Sequence, residues 1–190
     1  MTIGGRAAGA VDAVDAALRF RPKGEPDEGA NPDIVWGSTA AAGVSAPTAD
    51  GARIRVKLAG AGNPPARVVR PTLRVFPDAF PATDVVGQST PGGFRLITVS
   101  HSAEAPSEFR FPVVLPPALS LALSGAGGFD ILRPGGAAVG RFWAAWGRDA
   151  GGRPVRVTYA LSGTDLIMTV DLAEASFPVV ADPLYTAPTG

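Results

Sequence analysis

The chain has 190 residues, a formal net charge of zero and no cysteine, and only 18% of its residues are charged. This charge balance argues against nucleic acid or an anionic membrane surface as a partner, because both attract strongly basic proteins. The absence of cysteine excludes a disulfide framework, a thiolate nucleophile and cysteine-ligated metal sites. We also expect no transmembrane segment, because no stretch approaches the roughly 18 apolar residues that a membrane-spanning helix needs.

Residues 6–20 are predicted to form a helix, because apolar side chains recur there at three- and four-residue spacing. They are Ala7, Val11, Val14 and Leu18. An interior glycine lowers helix propensity by roughly 1 kcal/mol, so we expect this helix to need a surface on which to dock. Acidic residues stand where a signal peptide would carry its apolar core, and residues 1–20 are therefore expected to form an N-terminal helical segment without an export signal.

Residues 21–50 are predicted to be a linker rich in proline and glycine. Prolines at four positions prevent regular strand pairing, and a short apolar patch at residues 34–36 is the only interruption.

Residues 51–185 are predicted to form a single β domain, followed by a tail at residues 186–190. Apolar and basic residues alternate at 53–58, which is the pattern of a strand with one wet face. Further strands are predicted at 68–76, 93–101, 108–115, 119–123, 129–132, 138–143, 155–161 and 166–172. Short strands without intervening helices favour a mainly β fold, either an antiparallel β-sandwich or a partly open barrel, with a short N-terminal helix.

The clearest predicted hairpin joins residues 155–161 to residues 166–172. Its loop contains Gly163, which supplies a positive φ angle without steric strain. Alternate residues of each arm are apolar, so each arm is expected to present one apolar face. Turns are also predicted at residues 91–93 and 148–152, where glycine follows proline or aspartate.

No catalytic, metal-binding or cofactor-binding residue is predicted. His101 is the only histidine and stands between two serines, but neighbours on a strand point to opposite faces and cannot form a nucleophile–base pair. The acidic residues lack the spacing of a calcium loop. Asp149, Asp165 and Asp182 are instead expected to bond local backbone groups in turns.

Trp143 and Trp146 are the candidate ligand-binding residues. With Phe142 they form the densest aromatic cluster, and an exposed aromatic platform on a β-sandwich is one way to stack a sugar ring. Strand alternation places Phe142 on the face opposite Trp143. The alternative is that at least one tryptophan belongs to the core, because large aromatic side chains are mostly buried.

Four stretches carry a resemblance to a known module: RLITV at 95–99, APSEFRF at 105–111, DAGGRPV at 149–155 after Trp146, and FPVVADP at 177–183. Through them residues 93–185 resemble an uncharacterised β-rich module of actinobacterial secreted and cell-surface proteins, which also precedes the repeats of YD-repeat (Rhs-like) proteins. Members commonly have proline before the tryptophan, and Ala145 departs from that pattern. The resemblance implies a β-sandwich-like region that ends at an Asp-Pro boundary and has no assigned catalytic residues.

These observations lead to an expected function that is not enzymatic. We expect a noncatalytic structural or interaction module of a larger exported or surface-associated bacterial protein, with a neighbouring domain or another protein as partner. The alternative is a carbohydrate-binding or carbohydrate-active β-sandwich that uses exposed Trp143 and Trp146 to bind a glycan. In a third interpretation the N-terminal helix docks on a partner chain. The expected location is extracellular or at the cell surface if the chain is part of a larger exported protein, and cytoplasmic if it is complete as written.

Overall fold

The computed structural model describes residues 5–188, which form one helix and seventeen strands. The helix α1 spans Gly5–Leu18. The strands in chain order are β1 Val35–Trp36, β2 Val44–Pro47, β3 Arg53–Val56, β4 Arg67–Arg70, β5 Leu73–Phe80, β6 Thr83–Thr90, β7 Gly93–Ser100, β8 Glu108–Val114, β9 Ser120–Leu123, β10 Phe129–Leu132, β11 Ala138–Phe142, β12 Trp146–Arg148, β13 Pro154–Val155, β14 Val157–Ser162, β15 Asp165–Val170, β16 Val179–Asp182 and β17 Leu184–Thr186.

The strands build two antiparallel sheets. The smaller sheet has the order β1-β2-β3-β8-β15-β14. In the larger sheet β7 is central: β6, β5 and β4 follow on one side, and β16 and β17 both pair with its other edge. Beyond β7 the sheet divides, because β16 continues to β12 and β13 while β17 continues to β11, β10 and β9. The mainly β, two-sheet fold confirms the prediction, and the sheets do not close into a barrel.

The main hydrophobic core lies between the two sheets. Phe109 and Phe111 on β8 and Leu166 and Met168 on β15 point into it from the smaller sheet, and the larger sheet contributes buried side chains such as Phe94. Alternation along each strand produces this arrangement, because successive side chains point to opposite faces.

A second, smaller core lies on the outer face of the larger sheet, where α1 docks. One stripe of the helix is buried and consists of Ala7, Ala10, Val11, Val14 and Ala17. It packs on Leu73, Val75, Val86, Ile97, Val99 and Val180. The prediction of a helix that needs a docking surface is therefore confirmed, and within the described residues that surface belongs to the same chain.

A strap, defined as residues 19–34, continues from α1 across the same outer face. The amide N–H of Gly29 donates to the carbonyl of Ser89, with 3.0 Å between N and O. The side-chain amide of Asn31 donates to the carbonyl of Thr90 at 3.1 Å. The strap thus lies along the end of β6 and covers it.

The secondary structure of residues 21–50 differs from the predicted linker, because β1 and β2 lie within this range and belong to the smaller sheet. Proline does not prevent this pairing, since Pro47 is the last residue of β2. Near the other end of the chain, Thr186 belongs to β17 although residues 186–190 are predicted as a tail. Residues 1–4 of the predicted N-terminal segment and 189–190 of that tail lie outside the described residues.

The strand predicted at 129–132 coincides with β10, and the predicted hairpin is confirmed with bounds that differ by one or two residues. β14 and β15 pair from Val157↔Val170 to Ser162↔Asp165, and Gly163 in the loop has φ 62°. The single strand predicted at 68–76 is wrong, because a turn at 71–72 separates β4 from β5. No strand is predicted at 83–90, where the structure has β6, and this strand is buried along its length.

Candidate functional site

Two neighbouring grooves meet at Phe20, two residues beyond the end of α1. The larger has a volume of about 460 Å³ and runs between α1 and the turn after β12. The smaller has a volume of about 270 Å³ and lies along β12 and β13. Phe20 and Arg148 line both grooves, so these two side chains form the ridge between them.

The ridge is a stack of two side chains. Phe20 is half exposed, and the guanidinium carbon of Arg148 lies 4.9 Å from the centroid of its ring. Arg148 also donates from Nη1 to the carbonyl of Gly152 at 3.2 Å. Cation–π contact and this hydrogen bond hold the guanidinium over the ring, and the half-exposed ring lines both grooves.

The walls of the larger groove are mostly small and apolar. On α1 they include Ala13, Ala16 and Ala17, and across the groove they include Pro178 and Val180. Small side chains on both walls leave the space that the groove occupies. Such a lining favours an apolar group as occupant.

The turn beside the groove is organised by Asp149. Its Oδ1 accepts hydrogen bonds from the backbone N–H groups of Arg153 and Gly151, each at 2.9 Å, and its Oδ2 accepts from Ser176 at 3.2 Å. These bonds, with that from Arg153 foremost, hold the pKa of Asp149 below its usual value. The predicted role of Asp149 in a turn is confirmed, and the turn forms one wall of the larger groove.

Trp146 and Trp143 occupy different environments. Trp146 lines the smaller groove, packs against the core beneath α1 and donates from Nε1 to Glu25 at 3.2 Å. Trp143 donates from Nε1 to the hydroxyl of Thr186 at 2.8 Å and belongs to neither hydrophobic core. Phe142 is buried in the main core and Trp143 is not part of it, in agreement with the predicted placement of the two side chains on opposite faces. Only Trp146 of the two candidate ligand-binding residues lines either groove.

A buried ionic cluster lies next to the smaller groove. Arg95 on β7 is fully buried, and its Nη1 bonds both Glu25 of the strap, at 2.8 Å, and Asp182 of β16. Its Nη2 donates to the carbonyl of Pro26 at 2.8 Å. Through Glu25 the cluster reaches Trp146, so it connects the strap to one wall of the groove.

The structure corrects the expectation for Asp182, which forms an ion pair in a strand instead of bonding the backbone of a turn. Burial raises its pKa to about 7, although the nearby guanidinium of Arg95 acts in the opposite direction. Asp165 also departs from the expectation, because its Oδ2 accepts from Nη1 of Arg110 on the neighbouring strand β8 at 2.8 Å. Neither contact had a local signal, since the partners lie far apart in the sequence.

His101 lies beside a buried carboxylate. Its Nε2 is 2.8 Å from Oδ2 of Asp84, whose other oxygen accepts from the backbone N–H of Asp78 at 2.8 Å. Arg6 of α1 closes the cluster, with Nε 3.7 Å from Asp84. Within residues 5–188, no serine or threonine hydroxyl bonds His101, so the pair lacks the nucleophile of a hydrolytic triad.

The part of the chain that the structure describes contains neither a metal-binding cluster nor a membrane-spanning helix. There, no three histidine or acidic side chains are grouped closely enough to bind a metal ion together. The described helix has 14 residues and is not long enough to cross a membrane.

Comparison with protein-family models, with curated proteins and with solved structures finds no match to this chain. The resemblance of residues 93–185 to an actinobacterial module therefore stays an expectation.

Proposed function

We propose that this protein is a noncatalytic interaction module that binds an extended, apolar segment of a protein partner in the two grooves beside α1. The observation that carries the proposal is the ridge of Phe20 and Arg148, which presents an exposed aromatic ring between two concave, mostly apolar surfaces. Aromatic side chains are enriched at protein–protein interfaces, so a half-exposed phenylalanine between two apolar grooves suits a binding surface.

The shape of the site favours an elongated occupant over a compact one. Alternate side chains of an extended segment point the same way, so two of them can enter two neighbouring grooves while the residue between them crosses the ridge. A compact small molecule would fill one groove and leave the other open.

The charged groups at the site suit a peptide as well. Asp12 on the α1 wall is exposed, and Arg148 keeps its guanidinium at the ridge, where it stacks on Phe20. A peptide offers backbone carbonyls and acidic side chains to Arg148, and backbone N–H groups and basic side chains to Asp12. Arginine and aromatic residues are also the residue types that contribute most to binding energy at interfaces.

The experiment is a selection from displayed random linear peptides, followed by binding of the selected peptide to the full chain in solution by fluorescence anisotropy. The selected sequences are expected to carry large apolar residues at alternate positions. Phe20→Ser is expected to weaken binding by about tenfold or more, equivalent to about 1.4 kcal/mol.

Leu123→Ser is the matched control, because Leu123 is also an exposed apolar residue but lies on β9, away from both grooves. It should leave binding unchanged. Peptides that bind wild type and Phe20→Ser equally well, or a selection that yields no binding sequence, would refute the proposal.

A second candidate function is glycan binding. It is favoured by Trp146, which lines the smaller groove, and by Trp143, which belongs to neither core and is partly exposed. Quenching of tryptophan fluorescence by a panel of polysaccharides tests it. A response lost in Trp146→Ala or Trp143→Ala supports glycan binding, and no response across the panel removes it.

The proposed setting in a larger exported or surface-associated bacterial protein has one support, the resemblance of residues 93–185. In that setting the partner segment belongs to a neighbouring domain or to another surface protein.

A further inference from the structure

The outer edge of β14 is an open strand edge. β14 pairs with β15 on one side and, among the described residues, no strand pairs with its other side. The N–H of Asp171 bonds the carbonyl of Arg156, which fixes the alternation: residues 156, 158, 160 and 162 bond toward β15. The N–H and C=O groups of Val157, Tyr159 and Leu161 therefore point away from β15, to the open edge.

This edge lacks the usual protection against pairing. Natural sheets protect their edges with charged residues, prolines, bulges or very short strands. The edge strand β4 has arginines at both ends and a register shift, and β13 has two residues and begins with Pro154. By contrast, Val157–Ser162 contains neither a charged residue nor a proline and extends over six residues.

We propose that β14 pairs with β14 of a second copy of this chain, antiparallel and with Tyr159 opposite Tyr159 of the partner subunit on the two-fold axis. This register alone brings all the outward-pointing backbone groups together, because Val157 then faces Leu161 of the partner subunit and the two residues exchange both hydrogen bonds. Pairing about a two-fold axis is the commonest way in which identical chains associate.

The side chains of β14 are self-complementary in this register. On the inner face Val157, Tyr159 and Leu161 are partly buried against the main core. In the dimer Val157 would lie opposite Leu161 of the partner subunit, and Tyr159 would lie opposite Tyr159 of the partner subunit. On the outer face Thr158 and Ala160 are exposed and would lie opposite each other. No like charges are brought together within the paired strands, and the chain has no net charge to oppose association.

The experiment measures the mass of the full chain in solution over a wide concentration range, by analytical ultracentrifugation. The wild type is expected to be a dimer. In Thr158→Lys/Ala160→Lys each lysine faces a lysine of the partner, so the variant should be monomeric. The matching glutamate double variant should also be monomeric, and an equal mixture of the two variants should restore the dimer.

Ser120→Lys/Ala122→Lys is the control, because it places the same charges on β9, another edge strand without a charged residue. This variant should remain dimeric. A wild type that is monomeric throughout, or a dimer that survives the lysines on β14, overturns the proposal. Loss of the dimer only in the β9 variant also overturns it, because the interface then lies on β9.

Disulfide trapping tests the register separately, and the absence of native cysteine makes it specific. Directly opposed residues outside the hydrogen-bonded pairs have Cα atoms about 4.5 Å apart, which a disulfide can span. Mild oxidation of a mixture of Thr158→Cys and Ala160→Cys should therefore link the two chains, whereas neither variant should link efficiently to itself. Equal linking of each variant to itself contradicts the register.

Discussion

Nη1 of Arg95 lies 2.8 Å from Oε1 of Glu25, although solvent reaches neither side chain appreciably. Arg95 belongs to the central strand β7 and Glu25 to the strap, so this ion pair joins two segments that are 70 residues apart. Because Glu25 also accepts a hydrogen bond from Trp146, the pair fixes the strap against a wall of the smaller groove. A buried salt bridge with several further hydrogen bonds is well suited to fix one arrangement of a loop.

Replacement of the buried cation should destabilise the fold strongly. Arg95→Met keeps much of the side-chain volume but leaves the carboxylates of Glu25 and Asp182 buried without their cation, and Glu25 then keeps only its hydrogen bond from Trp146. We expect a loss of about 3–5 kcal/mol in the free energy of unfolding, measured by urea denaturation at pH 8.

Arg110→Met is the matched control, because Arg110 also pairs with an aspartate, Asp165, but is substantially exposed. An exposed pair contributes at most about 1 kcal/mol. Equal losses in the two variants would show that the buried cluster has no special role in stability.

The free energy of unfolding should decrease as the pH rises from about 4 to about 7. The pKa of Asp182 is near 3.8 in the unfolded chain and about 7 in the folded protein, so the folded state holds the extra proton in this range. The stability that Asp182 contributes is fully present below its unfolded pKa and is lost as the pH passes its folded pKa, with a slope of up to about 1.4 kcal/mol per pH unit.

Asp182→Asn removes this titration and isolates its effect. The amide cannot ionise, so the free energy of unfolding of the variant should lack the part of the pH dependence that Asp182 causes. Urea denaturation at a series of pH values from 4 to 8 measures both curves. Parallel curves for the two proteins would contradict the assignment of the slope to Asp182.

The sequence predicts strands well where one face of a strand is exposed to solvent. The hairpin β14–β15 has alternating apolar residues and a glycine in its loop, and both features are local. By contrast, β6 is covered by the main core on one face and by α1 and the strap on the other. Polar residues such as Asp84 and Gln88 are buried in β6. They interrupt the apolar pattern of a buried strand, and their burial depends on segments that are distant in the sequence.

The candidate site was harder to predict than the fold. The sequence indicates Trp146 as a candidate because its side chain is large and aromatic. Nothing near Phe20 indicates that its ring contacts Arg148, which lies 128 residues further along the chain. The groove arises where α1 crosses the larger sheet, so it depends on tertiary packing. Arg95 and Asp182 likewise become partners only when β16 pairs with β7.

Gly87 is a position where only glycine fits. It lies on β6 beneath the indole of Trp36, and a Cβ atom there would come within 2.5 Å of the ring. Gly87→Ala must therefore displace Trp36 from its place against Phe76 and Phe94, and we expect a loss of about 1–3 kcal/mol in the free energy of unfolding. Urea denaturation measures the loss, and tryptophan fluorescence should change as the indole moves.

Gly125→Ala is the control for this substitution. Gly125 lies between β9 and β10, and a Cβ atom there meets nothing within 4 Å. We expect a change within about 0.5 kcal/mol. If Gly87→Ala is equally mild, the indole of Trp36 does not lie against β6.

The docking of α1 can be tested at Val14, which is completely buried against the outer face of the larger sheet. Val14→Ala removes two methyl groups from this contact, at about 0.8 kcal/mol each plus the effect of the cavity, while the better helix propensity of alanine offsets part of the loss. We expect a net loss of about 1.5–2 kcal/mol in the free energy of unfolding, and faster hydrogen exchange of the α1 amides.

Asp12→Ala, at an exposed position of the same helix, should change the free energy of unfolding by less than about 0.5 kcal/mol. If Val14→Ala is as mild as Asp12→Ala, α1 does not dock on this sheet, and the larger groove, which has α1 as one wall, does not form in solution.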